Sequence, residues 1–250
     1  MKWMLSVLVV VAFGCKGVTQ SENYAEEKLT FGLDSLVQET CVGEECARLR
    51  LIWPVAKGDP HAAQINEVIQ GQLLGFLQIG EDPGTNLDSA ANDFFRSFKA
   101  FKKEFPQSFG SWEIEVKGKL SYESDRAISI FFEQYNYLGG AHPNSTVAFL
   151  NFEKKSGKSL SPDQLVLDQA KVTQLAEQKF RLFHEVPEGV NLVDDGRFFL
   201  PETGFFLANA MGFKDGKFWI IYVPYEIGPY VLGYTEIEFT QEELGDAVAW

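Results

Sequence analysis

The stretch "SWEIEVKGKLSYESDRAISIFFEQYNYLGGAHPNSTVAFLNFEKKSGK", residues 111–158, contains three consecutive segments with the period of a β-strand. The first segment alternates apolar with charged side chains: Trp112, Ile114 and Val116 against Glu113, Glu115 and Lys117. A period of two puts one set on a buried face and the other toward solvent. Similar segments follow at 125–138 and 145–158, so the sequence predicts an antiparallel meander with one buried face.

Helical periods lie on the N-terminal side of this meander. A strand over residues 47–55 is predicted to end at Pro54, and a helix follows with Asp59 as its N-cap and Pro60 as its first residue. Its apolar stripe is Ile65, Ile69, Leu73 and Leu77. A second helix, from about Asp88, carries the stripe Phe94, Phe98, Phe101 and Phe105, which we interpret as core.

The C-terminal part changes from a helix to strands. The helix, within residues 161–185, ends near His184, where a cation would suit the helix dipole. The Asp215-Gly216 pair predicts a hairpin, and Thr240 with Glu243 predicts a capping box. We therefore predict an α+β fold, an antiparallel meander with helices on one face, in two subdomains at 31–138 and 139–250.

The first residues, "MKWMLSVLVVVAFGCKG", predict export. One Lys precedes a short apolar run that ends at Gly14-Cys15. The run suits a signal peptide at 1–14, and its end resembles a bacterial lipobox, which makes Cys15 the predicted lipidated N-terminus. Residues 15–30 are a predicted flexible tether. We expect a protein of the bacterial cell envelope, anchored to a membrane by lipid and either periplasmic or surface-exposed.

Two further cysteines, Cys41 and Cys46, stand five residues apart. Exported proteins meet an oxidising compartment, so a local disulfide is the favoured interpretation. A metal site is the alternative, but two thiolates without further ligands make a poor zinc site.

The charge balance limits the partners. The chain has a formal charge of -13 and no basic run, which argues against nucleic acid. An acidic surface generally keeps a protein soluble, and it would also attract a cationic partner.

Two glycine-, proline- and tyrosine-rich motifs are the candidate site. "LGGAHPNS" contains His142, and "PYEIGPY" contains Tyr225, Glu226 and Tyr230. We expect the motifs to pack together, with Glu226 or a tyrosine hydroxyl meeting His142. A structural corner is the favoured role. The alternative is a ligand-binding patch built on the same four residues.

Enzymatic motifs are lacking in the sequence. Three histidines, His61, His142 and His184, have no zinc-binding spacing, and no nucleophile elbow, phosphate loop or dinucleotide motif is present. We expect no cofactor and no metal. A carbohydrate-active enzyme with paired carboxylates remains the alternative, with Glu133, Glu226 and Glu236 as conceivable members.

A family resemblance adds to this interpretation. The segments "YNYLGGAHPNSTVAFLNFEKKSGKSLSPDQLV" and "VPYEIGPYVLGYTEIEF" resemble domain of unknown function family 3298. The region from "CVGEECARLRLIWP" to "FFEQYNY" resembles its companion, family 4163. The resemblance implies an α+β envelope protein, similar to the outer, lysozyme-binding domain of a lysozyme-sensing anti-sigma factor. Other relatives carry a peptidoglycan deacetylase domain, which we do not expect in this chain.

The function predicted from these observations is a non-enzymatic binding module. Its partner would be a cationic, lysozyme-like muramidase or peptidoglycan, held beside a membrane. A structural envelope protein without a soluble ligand is a further alternative.

Overall fold

The computed structural model describes residues 28–80 and 84–250, which form two β-sheets and five α-helices. The first sheet has the order β1-β2-β3-β4-β5, with strands Thr30–Val42, Glu45–Lys57, Trp112–Glu123, Ala127–Tyr137 and Asn144–Glu153. The second has the order β6-β7-β8, with strands Ala210–Lys214, Lys217–Tyr222 and Thr235–Phe239. The helices α1 to α5 span Ala62–Leu77, Leu87–Glu104, Pro162–Leu165, Gln169–Phe183 and Gln241–Leu244. The predicted α+β class is confirmed.

The first sheet is antiparallel except at one pair of strands. Strands β3, β4 and β5 form the predicted meander, and β1 and β2 form a hairpin. Strands β2 and β3 run parallel, because α1 and α2 lie between them in the chain and return it across one face. The pattern within each strand does not reveal this pairing, and the sequence interpretation missed it.

Helices α1 and α2 cover one face of the first sheet. Ile65, Ile69, Leu73 and Leu77 are buried, as their spacing predicts, and so are Phe94 and Phe98. Phe101 is partly buried, whereas Phe105 ends the helix and is half exposed. The core of this layer therefore follows the helical stripes except at the last turn of α2.

Two predicted boundaries near α1 are wrong by a few residues. Strand β2 continues through Pro54 to Lys57. Its pairing with β3 stops at Ile52, so Pro54 has no β3 partner to which a backbone N–H would donate. The helix begins at Ala62 rather than Pro60, because Asp59 instead accepts the backbone N–H of His61 (2.7 Å) in a turn before the helix.

The second sheet has its own core with α4. Val172, Ala176 and Phe180 of the helix are buried against apolar residues of β6, β7 and β8. The Lys214–Lys217 hairpin turn and the capping box of Thr240 and Glu243 form as predicted. The capping box starts α5 directly after β8.

A buried polar network joins the two sheets. Asn151 of β5 donates from Nδ2 to the Met211 carbonyl (2.9 Å) and accepts from the Ser129 hydroxyl. The Ser129 oxygen in turn accepts the Phe213 backbone N–H (3.1 Å). Asn151 and Ser129 are both buried, so these bonds replace water at the interface between β4–β5 and β6. The network therefore ties β6 of the small sheet to β4 and β5 of the first sheet.

The proposed division of the chain remains a prediction. Its boundary between residues 138 and 139 falls between β4 and β5, which pair in one sheet. The predicted signal peptide, Cys15 and most of the tether lie outside the described residues. Among the residues that the structure describes, no helix has the length and apolar character needed to span a bilayer.

The predicted disulfide is present between Cys41 and Cys46, which face each other across the β1–β2 hairpin. Closing so short a loop should contribute about 2 kcal/mol to the free energy of unfolding. We expect the Cys41→Ser, Cys46→Ser double variant to lose about that amount in a urea titration. Adding reductant should destabilise the wild type equally and leave the variant unchanged; a variant as stable as the oxidised wild type would contradict this.

Candidate functional site

The loop between β4 and β5 presents His142 at one end of the first sheet. Gly139 has φ +79°, and a Cβ there would lie 3.2 Å from the Trp112 indole nitrogen, so this position favours glycine. Gly140, by contrast, has no positive φ. The β4–β5 ladder ends at Asn144, directly after Pro143. His142 is therefore held in a short loop with its ring exposed.

The second motif forms a tight turn after β7. The Glu226 N–H donates to the Val223 carbonyl (3.0 Å), with Pro224 second and Tyr225 third in the turn. Tyr225 has φ +72°, the left-handed conformation that the third position of a type II turn requires and that glycine normally supplies. Pro229 then precedes a short 3-10 helix that begins at Tyr230.

His142, Tyr225 and Tyr230 come together in a cluster that we call the aromatic corner. The His142 ring stacks on Tyr230 with centroids 4.1 Å apart and interplanar angle 24°, and Tyr225 lies 6.5 Å from it. The Tyr225 hydroxyl is 3.4 Å from His142 Nε2, and the Tyr230 hydroxyl donates to the Pro143 carbonyl (3.0 Å). The structure thus brings three of the four predicted residues together.

Glu226 does not meet His142. Its carboxylate accepts the backbone N–H groups of Val223 and Asn209, both at 3.0 Å, and the Asn209 side-chain amide at 3.3 Å. Of the two partners expected for His142, Glu226 or a tyrosine hydroxyl, the structure shows the tyrosine hydroxyl, that of Tyr225. The turn explains why Glu226 does not reach His142. The Glu226 side chain points back toward the start of β6 and the end of β7, where it bonds to Asn209 and Val223.

A cleft of about 320 Å³ opens beside the aromatic corner, between the outer face of β3–β5 and strand β8. We call it the acidic cleft. Its lining includes three carboxylates, Glu115, Glu133 and Glu236, the rings of Tyr135 and Tyr234, and Lys117 and Lys214. Two of the three carboxylates considered for a paired-carboxylate enzyme, Glu133 and Glu236, therefore lie in one cleft, whereas Glu226 is elsewhere.

The lysines do not neutralise all of these carboxylates. Lys117 pairs with Glu115 at 3.1 Å, and the Lys214 ammonium lies over the Trp219 and Phe131 rings, 4.0 and 4.8 Å from their centroids. Across residues 28–80 and 84–250, neither Glu133 nor Glu236 has an ion-pair partner within 4.0 Å. The charges of Glu133 and Glu236 therefore remain available to bind a cationic group.

Tyr234 connects the cleft to the aromatic corner. Burial raises the pKa of its phenol, a hydrogen bond with Ser145 opposes this, and the charges of Glu133 and Glu236 raise it further. Tyr230 also acts on this phenol, which places the two tyrosines near each other. Ser145, which lines the cleft, lies two residues after Pro143, whose carbonyl accepts from the Tyr230 hydroxyl, so the cleft and the corner are adjacent.

The histidines lie in three separate places. His61 precedes α1, and His142 is in the corner. His184 ends α4, with Nε2 2.8 Å from the Thr235 hydroxyl. Burial, followed by the charge of Arg197, lowers the pKa of His184, so the neutral ring is favoured rather than the expected cation. Within the described part of the chain, the one His/Cys/Asp/Glu group close enough to hold a metal is Glu39, Cys41 and Cys46, whose thiols form the disulfide.

Sequence reasoning did not find the cleft as a unit. The alternation of β3 correctly places Glu115 and Lys117 on the face away from the helices. No local sequence pattern indicates that Tyr234 and Glu236, about a hundred residues later in the chain, cover this face of the first sheet. Only the packing of the small sheet against β4 and β5 brings them there.

Comparisons with known proteins identify the fold. A family model described as deacetylase PdaC matches residues 41–145. A solved DUF3298 family protein from Pseudomonas aeruginosa PAO1 aligns with a TM-score of 0.63 and 18% identity, over 88% of this chain and 94% of that one. A second, from Bacteroides fragilis NCTC 9343, aligns with a TM-score of 0.64 and 16% identity, over 90% and 95%. The chain has the fold of DUF3298 family proteins.

These likenesses support the family 3298 part of the predicted resemblance at the level of fold. No curated protein sequence matches the chain. The similarity to family 4163 and to the anti-sigma factor remains a prediction.

Proposed function

We propose that this protein is a non-enzymatic binding module of the bacterial cell envelope, anchored by lipid at Cys15. The module captures a cationic partner protein, a lysozyme-like muramidase, with the aromatic corner and the acidic cleft. The observation that carries the proposal is Tyr225. Its side chain is 55% exposed, yet its backbone holds a conformation that glycine would adopt without strain.

The strain at Tyr225 supports recognition rather than folding. A non-glycine residue at such an angle costs about 1–3 kcal/mol, and persists where surrounding contacts enforce it, often at binding sites. A residue that is about half exposed recovers only part of this cost through its ring contacts with His142 and Tyr230. A bulky aromatic side chain at this position is therefore best explained by a partner that buries it, because Tyr is enriched among residues that dominate binding energy.

Exposed apolar side chains extend the corner into a patch suited to a protein. Val231, beside Tyr230, is 90% exposed, and Leu138, in the His142 loop, is 36% exposed. An apolar centre with charged groups at its side is the usual layout of a protein interface. Glu133 and Glu236, which form no ion pair within the described residues, and the formal charge of -13 favour a basic partner.

Calorimetric titration with a c-type lysozyme tests this proposal. We would titrate the purified, oxidised protein at about 50 mM and about 300 mM salt, because surface charge attraction is strongly screened at the higher value. Saturable binding that persists at the higher salt supports a specific surface. Heat at low salt alone means non-specific attraction, and no heat at either salt rejects this partner and makes peptidoglycan fragments the next ligand to titrate.

We predict that His142→Ala weakens lysozyme binding about tenfold, in the range of an interface residue worth more than 1 kcal/mol. The His142 ring is exposed, and its Nδ1 hydrogen-bonds to the carbonyl of the next residue, Pro143 (2.9 Å). The melting temperature should therefore change by less than about 2 °C. A loss of several degrees with unchanged affinity would instead assign His142 to a structural corner.

A carbohydrate-active enzyme is the second candidate, and the shared cleft of Glu133 and Glu236 favours it. Glycosidases place two carboxyl groups roughly 5–9 Å apart on either side of the scissile bond. Release of reducing ends from peptidoglycan, abolished by Glu133→Gln or Glu236→Gln, would support this function. The deacetylase activity named by the family model finds little support in this chain, because hydrolytic zinc sites take three protein ligands and the three histidines are dispersed.

A further inference from the structure

Glu226 occupies the open end of the β6–β7 hairpin. The ladder of these strands ends at the Ala210–Ile221 pair, and beyond it come Asn209 on one side and Val223 on the other. Glu226 Oε1 accepts the Asn209 N–H, and Oε2 accepts the Val223 N–H, each at 3.0 Å. One carboxylate therefore joins the two chain segments where the ladder no longer does.

The same carboxylate fixes the turn that carries Tyr225. Val223 is the first residue of that turn and Glu226 is the fourth, so the bond from Val223 N–H to Glu226 Oε2 closes the turn a second time. Asn209 adds a bond from its side-chain amide (3.3 Å), which ties the turn to the start of β6. Hydrogen bonds to an ionised acceptor are stronger than neutral ones and hold geometry more firmly.

We propose that Glu226 is the positioning residue of the aromatic corner: it holds Tyr225 in its left-handed conformation against His142 without touching the partner. The affinity of the corner depends on this fixed presentation, because a ring that is ordered before binding loses less freedom on binding. This inference rests on the proposed capture function for its effect on affinity. The orientation of Tyr225 does not depend on that function.

The first measurement is independent of any partner. The three histidines give a simple ¹H–¹³C NMR spectrum, and the His142 ring protons sense the currents of the Tyr225 and Tyr230 rings. We expect Glu226→Ala to move the His142 signals toward their positions in Tyr225→Gly while His61 and His184 stay in place. Glu226→Gln keeps one oxygen that can accept a hydrogen bond, so it should move the His142 signals part of the way. This variant replaces Glu226→Ala in the test if the alanine variant folds poorly.

Glu243→Ala is the matched control. Glu243 also accepts a backbone N–H with its carboxylate, that of Thr240 (2.7 Å), but at the start of α5. Its loss should leave the His142 signals unmoved. It should also leave lysozyme affinity within about twofold, whereas Glu226→Ala should weaken it about tenfold.

The outcomes separate the two proposals. His142 signals that stay in place in Glu226→Ala overturn the positioning role, whatever the affinity. Signals that move while affinity remains that of the wild type overturn its effect on binding. If the wild type does not bind lysozyme, the proposed function fails for that partner, and shifted His142 signals would still support positioning of Tyr225.

Discussion

Tyr225→Gly should lose most of its affinity for lysozyme while melting within about 2 °C of the wild type. Truncating a central interface tyrosine typically costs at least about 2 kcal/mol of binding free energy, or roughly a 30-fold weaker Kd. Stability should change little because two effects oppose each other. Glycine relieves the strain at φ +72°, and it also removes the ring contacts with His142 and Tyr230.

Asp215→Gly is the control for Tyr225→Gly. Asp215 is also a non-glycine residue at positive φ (+53°) in a turn, at the opposite end of the β6–β7 hairpin. Its replacement should leave affinity within about twofold. If both variants bind like the wild type, Tyr225 is not a recognition residue. If Tyr225→Gly melts several degrees lower and binding falls only through unfolding, the ring has a structural role.

Asn151→Leu should destabilise the fold by about 2–4 kcal/mol, the range for leaving buried polar groups without hydrogen bonds. Leucine has a similar size but cannot donate to the Met211 carbonyl or accept from the Ser129 hydroxyl. Asn151 is 5% exposed, so water cannot easily replace these bonds. We expect the melting temperature to fall by roughly 10 °C.

The matched control is Asn144→Leu, at the exposed start of the same strand. A surface substitution of this kind should change stability by less than about 0.5 kcal/mol. Equal losses in the two variants would mean that the network between the sheets adds nothing beyond general β-strand effects. A loss confined to Asn151→Leu supports the network as the joint that orients the small sheet.

Local sequence patterns predict most of the secondary structure for a physical reason. The alternation in β3 and the helical stripes Ile65–Ile69–Leu73 and Phe94–Phe98 each reflect one buried face. The residues that favour a hairpin turn or a helix cap also act within a few positions of each other. The Asp215-Gly216 turn and the Thr240 cap therefore form as predicted. The disulfide between Cys41 and Cys46 was predicted from their short spacing and the oxidising compartment expected for an exported protein.

The features that sequence reasoning missed depend on contacts between distant segments. The parallel pairing of β2 with β3 depends on where two intervening helices pack. The acidic cleft requires Glu133 of β4 to face Glu236 of β8, about a hundred residues later. The motifs around His142 and Tyr225 were predicted to meet because both are rich in turn residues and aromatics, but the direction of Glu226 depended on backbone angles that only the structure gives.

Capture of lysozyme by the aromatic corner is tested by one ratio: the lysozyme Kd of Tyr225→Gly divided by that of the wild type, measured by calorimetry at about 300 mM salt. At this salt, long-range attraction between the acidic chain and basic lysozyme is strongly screened, so the ratio reports contacts at the corner. The proposed capture surface predicts a ratio of roughly 30 or more. A ratio near one with intact wild-type binding would place recognition elsewhere on the protein and reject the aromatic corner as the capture surface.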